Sequence, residues 1–285
     1  MAKALILGAG GNFGSHAERA FQAAGWEVAR YSRGSDMAAA AKGAEVIVNA
    51  MNPPMYHDWA RLIPEITGQV LAAAKTSGAR VLLPGNVYPY GQQPGLWGPE
   101  TPHLPCARKG AIRAEMEAQY RASGQPVLIL RGGDFLDECS TTTVMNMLVL
   151  KEIEKGKMTR LGNAKVKRAY AYLPDMARAG AALVGIGAAL PDFVDMPFAG
   201  LTFSMDELQA ELERQLVQPV KAADFRWWLM TLTSPFWELA REMREMRYLF
   251  ETDHALDPAP LAALLPGFQG ASLAQVVEKH LRARG

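Results

Sequence analysis

Cysteine is scarce in this chain. Only Cys106 and Cys139, 2 of 285 residues, are cysteines, and they stand far apart in the sequence. Two distant cysteines make neither a disulfide framework nor a CxxC metal site, and such sparse use is typical of a reducing compartment. We therefore expect a cytoplasmic protein with no metal site.

An excess of charge of one sign is also missing. The chain has 30 Lys and Arg against 29 Asp and Glu, which leaves a formal charge of +1 at pH 7. Proteins dedicated to nucleic acids carry a basic surface that neutralises phosphates. The charge balance therefore predicts no nucleic-acid partner.

Long apolar runs are absent as well. The longest, over residues 179–190, is interrupted by glycines and is too short to cross a bilayer. The apolar start from Ala4 to Leu7 has no charged n-region and leads directly into glycines, which favours a first strand over a signal peptide. With 49% hydrophobic and 21% charged residues, the composition indicates a globular protein with no membrane partner.

Short apolar runs alternate with helix-like segments through the first 130 residues. Strands are predicted over residues 5–7, 28–31, 46–48, 81–83 and 127–130, and helices over 16–24, 37–42, 62–77 and 108–123. Strands and helices that alternate at this spacing form right-handed crossovers. The pattern predicts an α/β fold with a doubly wound parallel sheet of the Rossmann type.

The regular alternation of strands and helices ends beyond residue 130. We predict helices over 141–156 and 175–187, strands over 169–173 and 198–202, and a capping box at Ser204 and Glu207 that begins a helix. A helical stretch over 226–250 is interrupted at Pro235. These elements predict two domains, a dinucleotide-binding Rossmann domain over 1–190 and a smaller, mostly helical C-terminal substrate lobe over 191–285.

Aromatic and methionine side chains are concentrated in that helical stretch. Trp227, Trp228, Met243 and Met246 stand at the spacing of a helix core. An exposed face that joins two copies as a homodimer is the alternative interpretation.

A glycine-rich loop follows the first predicted strand and leads into a helix. Gly8 permits a tight turn, Gly10 or Gly11 lets the backbone approach a pyrophosphate, and Gly14 lets the helix pack closely on the strand. A tight turn without a ligand is the alternative. The residues expected to contact the dinucleotide are Gly8, Gly10, Gly11, Asn12, Phe13, Gly14, Ser32, Arg33, Ala50, Met51 and Asn52.

The end of the second strand indicates which dinucleotide is preferred. NAD sites place a carboxylate there to bind the ribose 2′-OH, but this chain has no acid before Asp36. Ser32 and the forked guanidinium of Arg33 suit a 2′-phosphate instead. We therefore expect NADP as the cofactor, with NAD as the alternative. The alternative interpretation of Arg33 is an ordinary solvated arginine on the surface.

At this point the chain resembles the short-chain dehydrogenase/reductase superfamily, in its extended and atypical epimerase/dehydratase-like branch. The segments that carry the resemblance are the glycine spacing at Gly8, Gly11 and Gly14, then 46–50, 86–91, 108–117, 131–135 and 170–175. The resemblance implies NAD(P) lying across the strand ends and a substrate held by the C-terminal lobe. It also implies a triad of Ser or Thr, Tyr and Lys, with Tyr and Lys four residues apart on one helix.

The chain departs from that pattern at all three triad positions. Cys106 and Gly110 stand at the Tyr and Lys positions, no Ser or Thr occurs between Ser77 and Thr101, and no tyrosine has a lysine four residues later. Lys109 is one residue out of register, which turns it about 100° around the helix. The segment 32–45 is also too short for the strand usual there, so we predict a missing edge strand.

Other side chains are candidates for the chemistry. Tyr88 and Tyr90 follow a sheet strand and are candidate proton donors with Lys109 nearby, while Asn86 is a candidate for binding a substrate carbonyl. Packing of the tyrosines under the lobe and a turn cap at Asn86 are the alternatives. Cys106 is either a reactive thiol or a small buried hydrophobe.

Two further loops follow predicted strands. Tyr56, His57 and Trp59 are expected to line a substrate pocket, and Arg131 and Asp134 are expected either to contact substrate or to pair with each other. We expect an NAD(P)-dependent oxidoreductase or epimerase-like enzyme acting on a small hydroxy- or oxo-substrate. A non-catalytic dinucleotide-binding redox sensor or regulator is the alternative. Which substrate is bound, and whether it is reduced, epimerised or dehydrated, does not follow from the sequence.

Overall fold

A parallel sheet of six strands forms the centre of the computed structural model, which describes residues 1–284. Its strands are β1 (Lys3–Leu7), β2 (Glu27–Arg30), β3 (Val46–Asn49), β4 (Arg80–Gly85), β6 (Val127–Arg131) and β10 (Phe193–Pro197). They lie in the order β2–β1–β3–β4–β6–β10, and every neighbouring pair is parallel. The doubly wound α/β prediction is confirmed.

Helices cover both faces of this sheet. One face packs on α1 (Asn12–Ala23) and α5 (Leu173–Gly185), and the other on α2 (Met37–Ala40), α3 (Trp59–Ser77) and α4 (Arg108–Ala122). Side chains alternate along each strand, so that Ile6 and Val48 enter the first core whereas Leu5 and Ile47 enter the second. Two buried faces explain why the strands are almost wholly apolar.

The edge of the sheet beyond β2 is shortened, as predicted. β2 is the terminal strand, and the segment between it and β3 contains the four-residue helix α2 but no strand. The opposite edge is formed by β10, which pairs with β6 and which the sequence analysis missed. The sheet thus takes a strand from beyond residue 190.

Within residues 1–284, three small sheets lie outside the main sheet. The first contains β7 (Asp134–Leu136), β9 (Arg168–Tyr172) and β11 (Leu201–Phe203), in the order β11–β9–β7. The others pair β8 (Lys157–Arg160) with β12 (Lys221–Asp224), and β5 (Gly95–Trp97) with β13 (His254–Leu256). The remaining helices are α6 (Met205–Leu216), α7 (Trp227–Thr233), α8 (Glu238–Glu245), α9 (Ala259–Leu264) and α10 (Leu273–Arg282).

Two predictions from local sequence signals in the C-terminal region are confirmed, the capping box and the interrupted helical stretch. The Ser204 side chain and Glu207 form the predicted capping box at the start of α6. The stretch over 226–250 is helical and is interrupted around Pro235, between α7 and α8. Trp227 and Met246 are buried, but the prediction of a core position for Trp228 is wrong, because its side chain is 61% exposed.

Two predicted elements are wrong, the second only in part. The helix over 141–156 is a short π-helical turn (Met145–Val149) and a 3-10 turn (Ile153–Lys155), because Asn146 Nδ2 donates to the carbonyls of Asp137 and Ser140 and holds the chain in a turn. The strand predicted over 198–202 is wrong over 198–200, where the Gly200 N–H turns back to the Phe198 carbonyl, whereas Leu201 and Thr202 lie in β11.

Within residues 1–284, no helix combines the length and the apolar character that crossing a membrane requires.

Candidate functional site

The glycine loop between β1 and α1 is a tight turn in which two glycines are required. Gly8 has φ of +77°, and the Gly11 N–H donates to the Gly8 carbonyl at 2.9 Å. A Cβ on Gly14 would lie 2.1 Å from the same carbonyl oxygen. The loop therefore closes directly onto the first turn of α1, whose free N–H groups and positive dipole end suit a phosphate.

A cleft of about 820 Å³ opens in front of this loop. Gly8, Ala9 and Gly10 form one wall, the segment 30–33 after β2 forms another, and Met51 lies beside them. A Cβ on Gly10 would meet no atom within 4 Å, so the backbone of Gly10 faces open space. A concave site at the carboxyl ends of parallel strands is where open α/β sheets bind ligands.

The structure brings only some of the predicted cofactor residues to this cleft. Those that line it are Gly8, Gly10, Ser32, Arg33 and Met51. Phe13 and Gly14 are buried behind the loop, the Ala50 carbonyl packs against Gly8, and the Asn52 side chain accepts from Arg113 at 2.7 Å.

The strand end at residues 31–35 forms a compact turn. Tyr31 Oη donates to the Ser35 carbonyl at 2.9 Å, and Ser35 Oγ donates to the Ser32 carbonyl at 2.7 Å. The neighbouring acid in the cleft, Glu18, accepts from Arg30 Nε at 2.8 Å. Arg33 has no carboxylate partner among residues 1–284, so its guanidinium remains available to an anion.

A polar cluster lies in the turn that follows β4. Asn86 Oδ1 accepts from the Tyr88 N–H at 3.1 Å, and the Tyr88 hydroxyl lies 3.3 Å from that of Tyr56. Burial raises the pKa of the Tyr56 hydroxyl above the ordinary value for tyrosine and raises that of Tyr88 well above it. Both hydroxyls are therefore protonated at neutral pH, which makes the pair a hydrogen-bond donor toward an oxygen of a substrate.

Tyr90 lies on the inner side of this cluster. Its hydroxyl donates to the Gly98 carbonyl at 3.2 Å, and its ring packs against Trp97 and beneath the Arg131 guanidinium. The side chain is 1% exposed. Tyr90 thus occupies the packing position that was the alternative interpretation.

Lys109 is buried and directed at the lobe. Its ammonium contacts Glu242, and it donates to Glu245 Oε2 at 2.7 Å. The Lys109 N–H also donates to Glu245 Oε1 at 2.8 Å. The ammonium is therefore neutralised by two carboxylates of α8, and it ties α4 to that helix.

The positions of Cys106, just before α4, and Gly110, in its first turn, have unusual surroundings. A Cβ on Gly110 would lie 2.6 Å from the Tyr88 carbonyl oxygen, so the turn after β4 fills the space that a lysine side chain would need. Cys106 is exposed, not a buried hydrophobe. Burial, and after it the adjacent Cys106 thiol, raise the pKa of the Tyr248 hydroxyl.

Arg131 and Asp134 do not pair with each other. Arg131 is fully buried, binds Glu117 and Asp195 at 2.7 and 2.5 Å, and also donates to the Asn86 carbonyl. Asp134 accepts from Arg168 at 2.9 Å. His103, Glu117 and Asp195 have the donor set of a metal site, but the Arg131 guanidinium already supplies the positive charge between the two carboxylates.

Sequence reasoning missed two residues near the site. Tyr248 comes from the C-terminal lobe, where no motif marked it. Arg113 is 7% exposed, and its Nε has no hydrogen-bond partner within residues 1–284. A basic side chain four residues after Lys109 was the available signal, because that spacing places both on one helix face.

Solved structures of low sequence identity share this fold over the whole chain. MoeE5 in complex with UDP-glucuronic acid and NAD matches with a TM-score of 0.77 and 12% identity, covering 99% of each chain. UDP-glucuronic acid 4-epimerase from Bacillus cereus in complex with NAD gives 0.75 and 15%, covering 99% of this chain and 98% of that one. TunA, an NAD-dependent NDP-hexosamine 5,6-dehydratase involved in tunicamycin biosynthesis, gives 0.74 and 16%, covering 100% and 98%.

The likeness to these structures establishes the fold that the resemblance implied, that of sugar-nucleotide epimerases and dehydratases with a Rossmann sheet. Neither the models of known protein families nor the curated protein sequences match the chain. At 12–16% identity, the chemistry of these neighbours is not transferred by the fold itself.

Proposed function

We propose that this chain is an NAD(P)-dependent enzyme of the oxidoreductase, epimerase or dehydratase type. The observation that carries the proposal is the cleft at the glycine loop, which follows the carboxyl ends of β1 and β2. The neighbours support it, because MoeE5 and the Bacillus cereus epimerase are complexes with NAD, and MoeE5 also with UDP-glucuronic acid. A sugar nucleotide is accordingly the first substrate class to test.

NADP is the proposed cofactor, although the neighbours are complexes with NAD. Arg33 lines the cleft without a carboxylate partner in residues 1–284, whereas the nearby Glu18 is bound by Arg30. A 2′-phosphate would receive a charge-assisted hydrogen bond from Arg33. No acid follows β2 directly to bind a ribose 2′-OH.

Replacement of Arg33 tests this preference. We expect Arg33→Ala to weaken NADPH binding by about 1.5–3 kcal/mol and to leave NADH binding unchanged, because a charge-assisted bond is lost. Nicotinamide fluorescence titrations measure both affinities, and Arg282→Ala, at an exposed arginine of α10, is the matched control. Equal affinities of the wild type for NADH and NADPH would contradict the 2′-phosphate assignment.

The side chains proposed to act on the substrate are Asn86 and Tyr88, with Tyr56 as the bonded partner of Tyr88. NAD(P) supplies hydride transfer when it is bound, and the protonated phenols donate to the reacting oxygen. Lys109 holds α8 over this region through Glu242 and Glu245. Tyr90 supports the turn from beneath through its bond to Gly98.

A turnover assay tests the catalytic role of Tyr88. With NADPH or NAD and a panel of UDP-sugars and small carbonyl compounds, we expect Tyr88→Phe to lower the rate tenfold or more, because one donor is removed. Tyr170→Phe, at a phenol of β9 that binds Arg168 and does not line the cleft, is the control. Equal rates in Tyr88→Phe and the wild type would remove Tyr88 from the mechanism.

A non-catalytic dinucleotide sensor is the second candidate function. The observation that favours it is the loss of the triad at Cys106 and Gly110, with the Tyr88 carbonyl filling the space beside Gly110. A sensor binds NADPH with the same dependence on Arg33 but converts no substrate of the panel. Turnover that depends on Tyr88 would exclude it.

A further inference from the structure

The segment Asp137–Thr143, called the clasp below, follows β7 in the chain and contacts the first residue of α1. Ser140 Oγ donates to Asn12 Oδ1 at 2.9 Å, and Thr142 Oγ1 donates to the same oxygen at 3.0 Å. Asn12 is the first residue of α1 and belongs to the glycine loop. Two hydroxyls of the clasp thus bind one side-chain oxygen at the N-terminal end of α1.

A second contact joins the clasp to α1 one turn further along. His16 Nε2 lies 3.0 Å from Asp137 Oδ2, and both side chains are buried. His16 Nδ1 accepts from Arg19 Nη2 at 2.8 Å, because a guanidinium only donates. The clasp is therefore attached to α1 at both of its ends.

The clasp is also ordered internally. Asn146 Nδ2 donates to the carbonyls of Asp137 and Ser140, both at 2.6 Å, and the Thr142 N–H donates to Ser140 Oγ at 3.0 Å. These bonds place the two hydroxyls before any ligand arrives. Groups that are held in position in advance lose little conformational entropy when a ligand binds.

We propose that Ser140 and Thr142 are cofactor-positioning residues, which hold Asn12 at the start of α1 where the glycine loop would bind the pyrophosphate. The inference rests on the proposed function, because the glycine loop is taken as the pyrophosphate site. Loss of the two hydroxyls frees the Asn12 side chain and so weakens the binding of the pyrophosphate by this turn. Loss of the hydroxyls accordingly accelerates dissociation more than association.

Stopped-flow measurements with NADPH test the proposal without knowledge of the substrate. We expect the double variant Ser140→Ala/Thr142→Val to release NADPH about tenfold faster or more, with an association rate close to that of the wild type, because two hydrogen bonds are lost. Thr141→Val is the matched control, since Thr141 is exposed and its side chain makes no hydrogen bond within residues 1–284. Thermal midpoints of the variants check that the fold is intact.

Asn12→Ala provides a second, independent variant. If the hydroxyls act through Asn12, its dissociation rate resembles that of the double variant, and the triple variant is no faster. An unchanged dissociation rate in the double variant, with tight NADPH binding, would overturn the clasp and leave the proposed function intact. No binding of NADPH or NADH by the wild type would overturn both.

Discussion

Burial decides the protonation states of the ionisable side chains around the site. Tyr56 and Tyr88 share a hydrogen bond in a region where burial raises the pKa of each phenol above its ordinary value. The nearby Arg113 guanidinium acts to lower both pKa values, but burial raises them by more. Both phenols are therefore protonated at neutral pH.

His254 provides a prediction at the residue scale. Its ring is 5% exposed, stacks on Trp97 with the ring centroids 4.3 Å apart, and donates from Nδ1 to the Thr252 carbonyl. Burial lowers its pKa from 6.5 to about 4. Between these two pH values the unfolded chain binds a proton that the folded chain does not. The free energy of unfolding should therefore decrease by roughly 3 kcal/mol as the pH falls through this window.

Denaturant titrations from pH 7 to pH 4 measure that decrease. In His254→Phe, which keeps a ring against Trp97, the decrease should be smaller by about the same amount. His57→Gln, at an exposed histidine, is the control and should follow the wild type. Identical pH profiles for His254→Phe and the wild type would contradict the assignment.

At the scale of elements, the contact between α4 and α8 rests on one buried cation. Lys109 is 1% exposed and is bound by Glu242 and Glu245, whose side chains are 9% and 20% exposed. Removing one partner of a buried pair leaves the other charge without compensation. The attachment of the lobe helix therefore depends on Lys109.

We expect Lys109→Met to lower the free energy of unfolding by about 3–5 kcal/mol, because two carboxylates lose their cation. Hydrogen exchange should show faster exchange of the α8 amides than in the wild type. Lys155→Met, which breaks an exposed pair with Glu152, should cost less than about 1 kcal/mol. Equal costs for the two variants would show that the Lys109 pair contributes no more than a surface pair.

The elements that the sequence predicted correctly are those fixed by local signals. The strands around Leu5, Ile47 and Leu128 follow from apolar runs, the turn at Gly8 from its position after a strand, and α6 from the Ser204 capping box. The missing edge strand followed from segment length alone.

The elements and contacts that were missed depend on distant partners. β10 is a strand because it pairs with β6, more than sixty residues earlier in the chain. The partners of Lys109 lie 133 and 136 residues away, and those of the Asn12 side chain 128 and 130 residues away. Residue spacing along the sequence does not indicate such distant pairs, and only the folded structure shows them.

At the scale of the whole molecule, the chain combines an open cleft at the glycine loop with residues that depart from the triad implied by the resemblance. The glycine loop, the open backbone of Gly10 and the segment at Arg33 are all present on one side of the cleft. Cys106, just before α4, and Gly110, within it, stand at the positions that the resemblance assigns to Tyr and Lys, and the Tyr88 carbonyl lies beside Gly110. Dinucleotide binding is therefore the part of the proposed function on which both the enzyme and the sensor depend.

The most direct measurement is a titration of the protein with NADPH and NADH, followed by nicotinamide fluorescence, for the wild type, Gly10→Asp and Gly68→Asp. A side chain at Gly10 meets no atom within 4 Å and enters the cleft, whereas Gly68 is exposed on α3. A carboxylate in the cleft would repel the pyrophosphate, so binding should be lost in Gly10→Asp and kept in Gly68→Asp. Equal binding by all three proteins would contradict a dinucleotide site at the glycine loop.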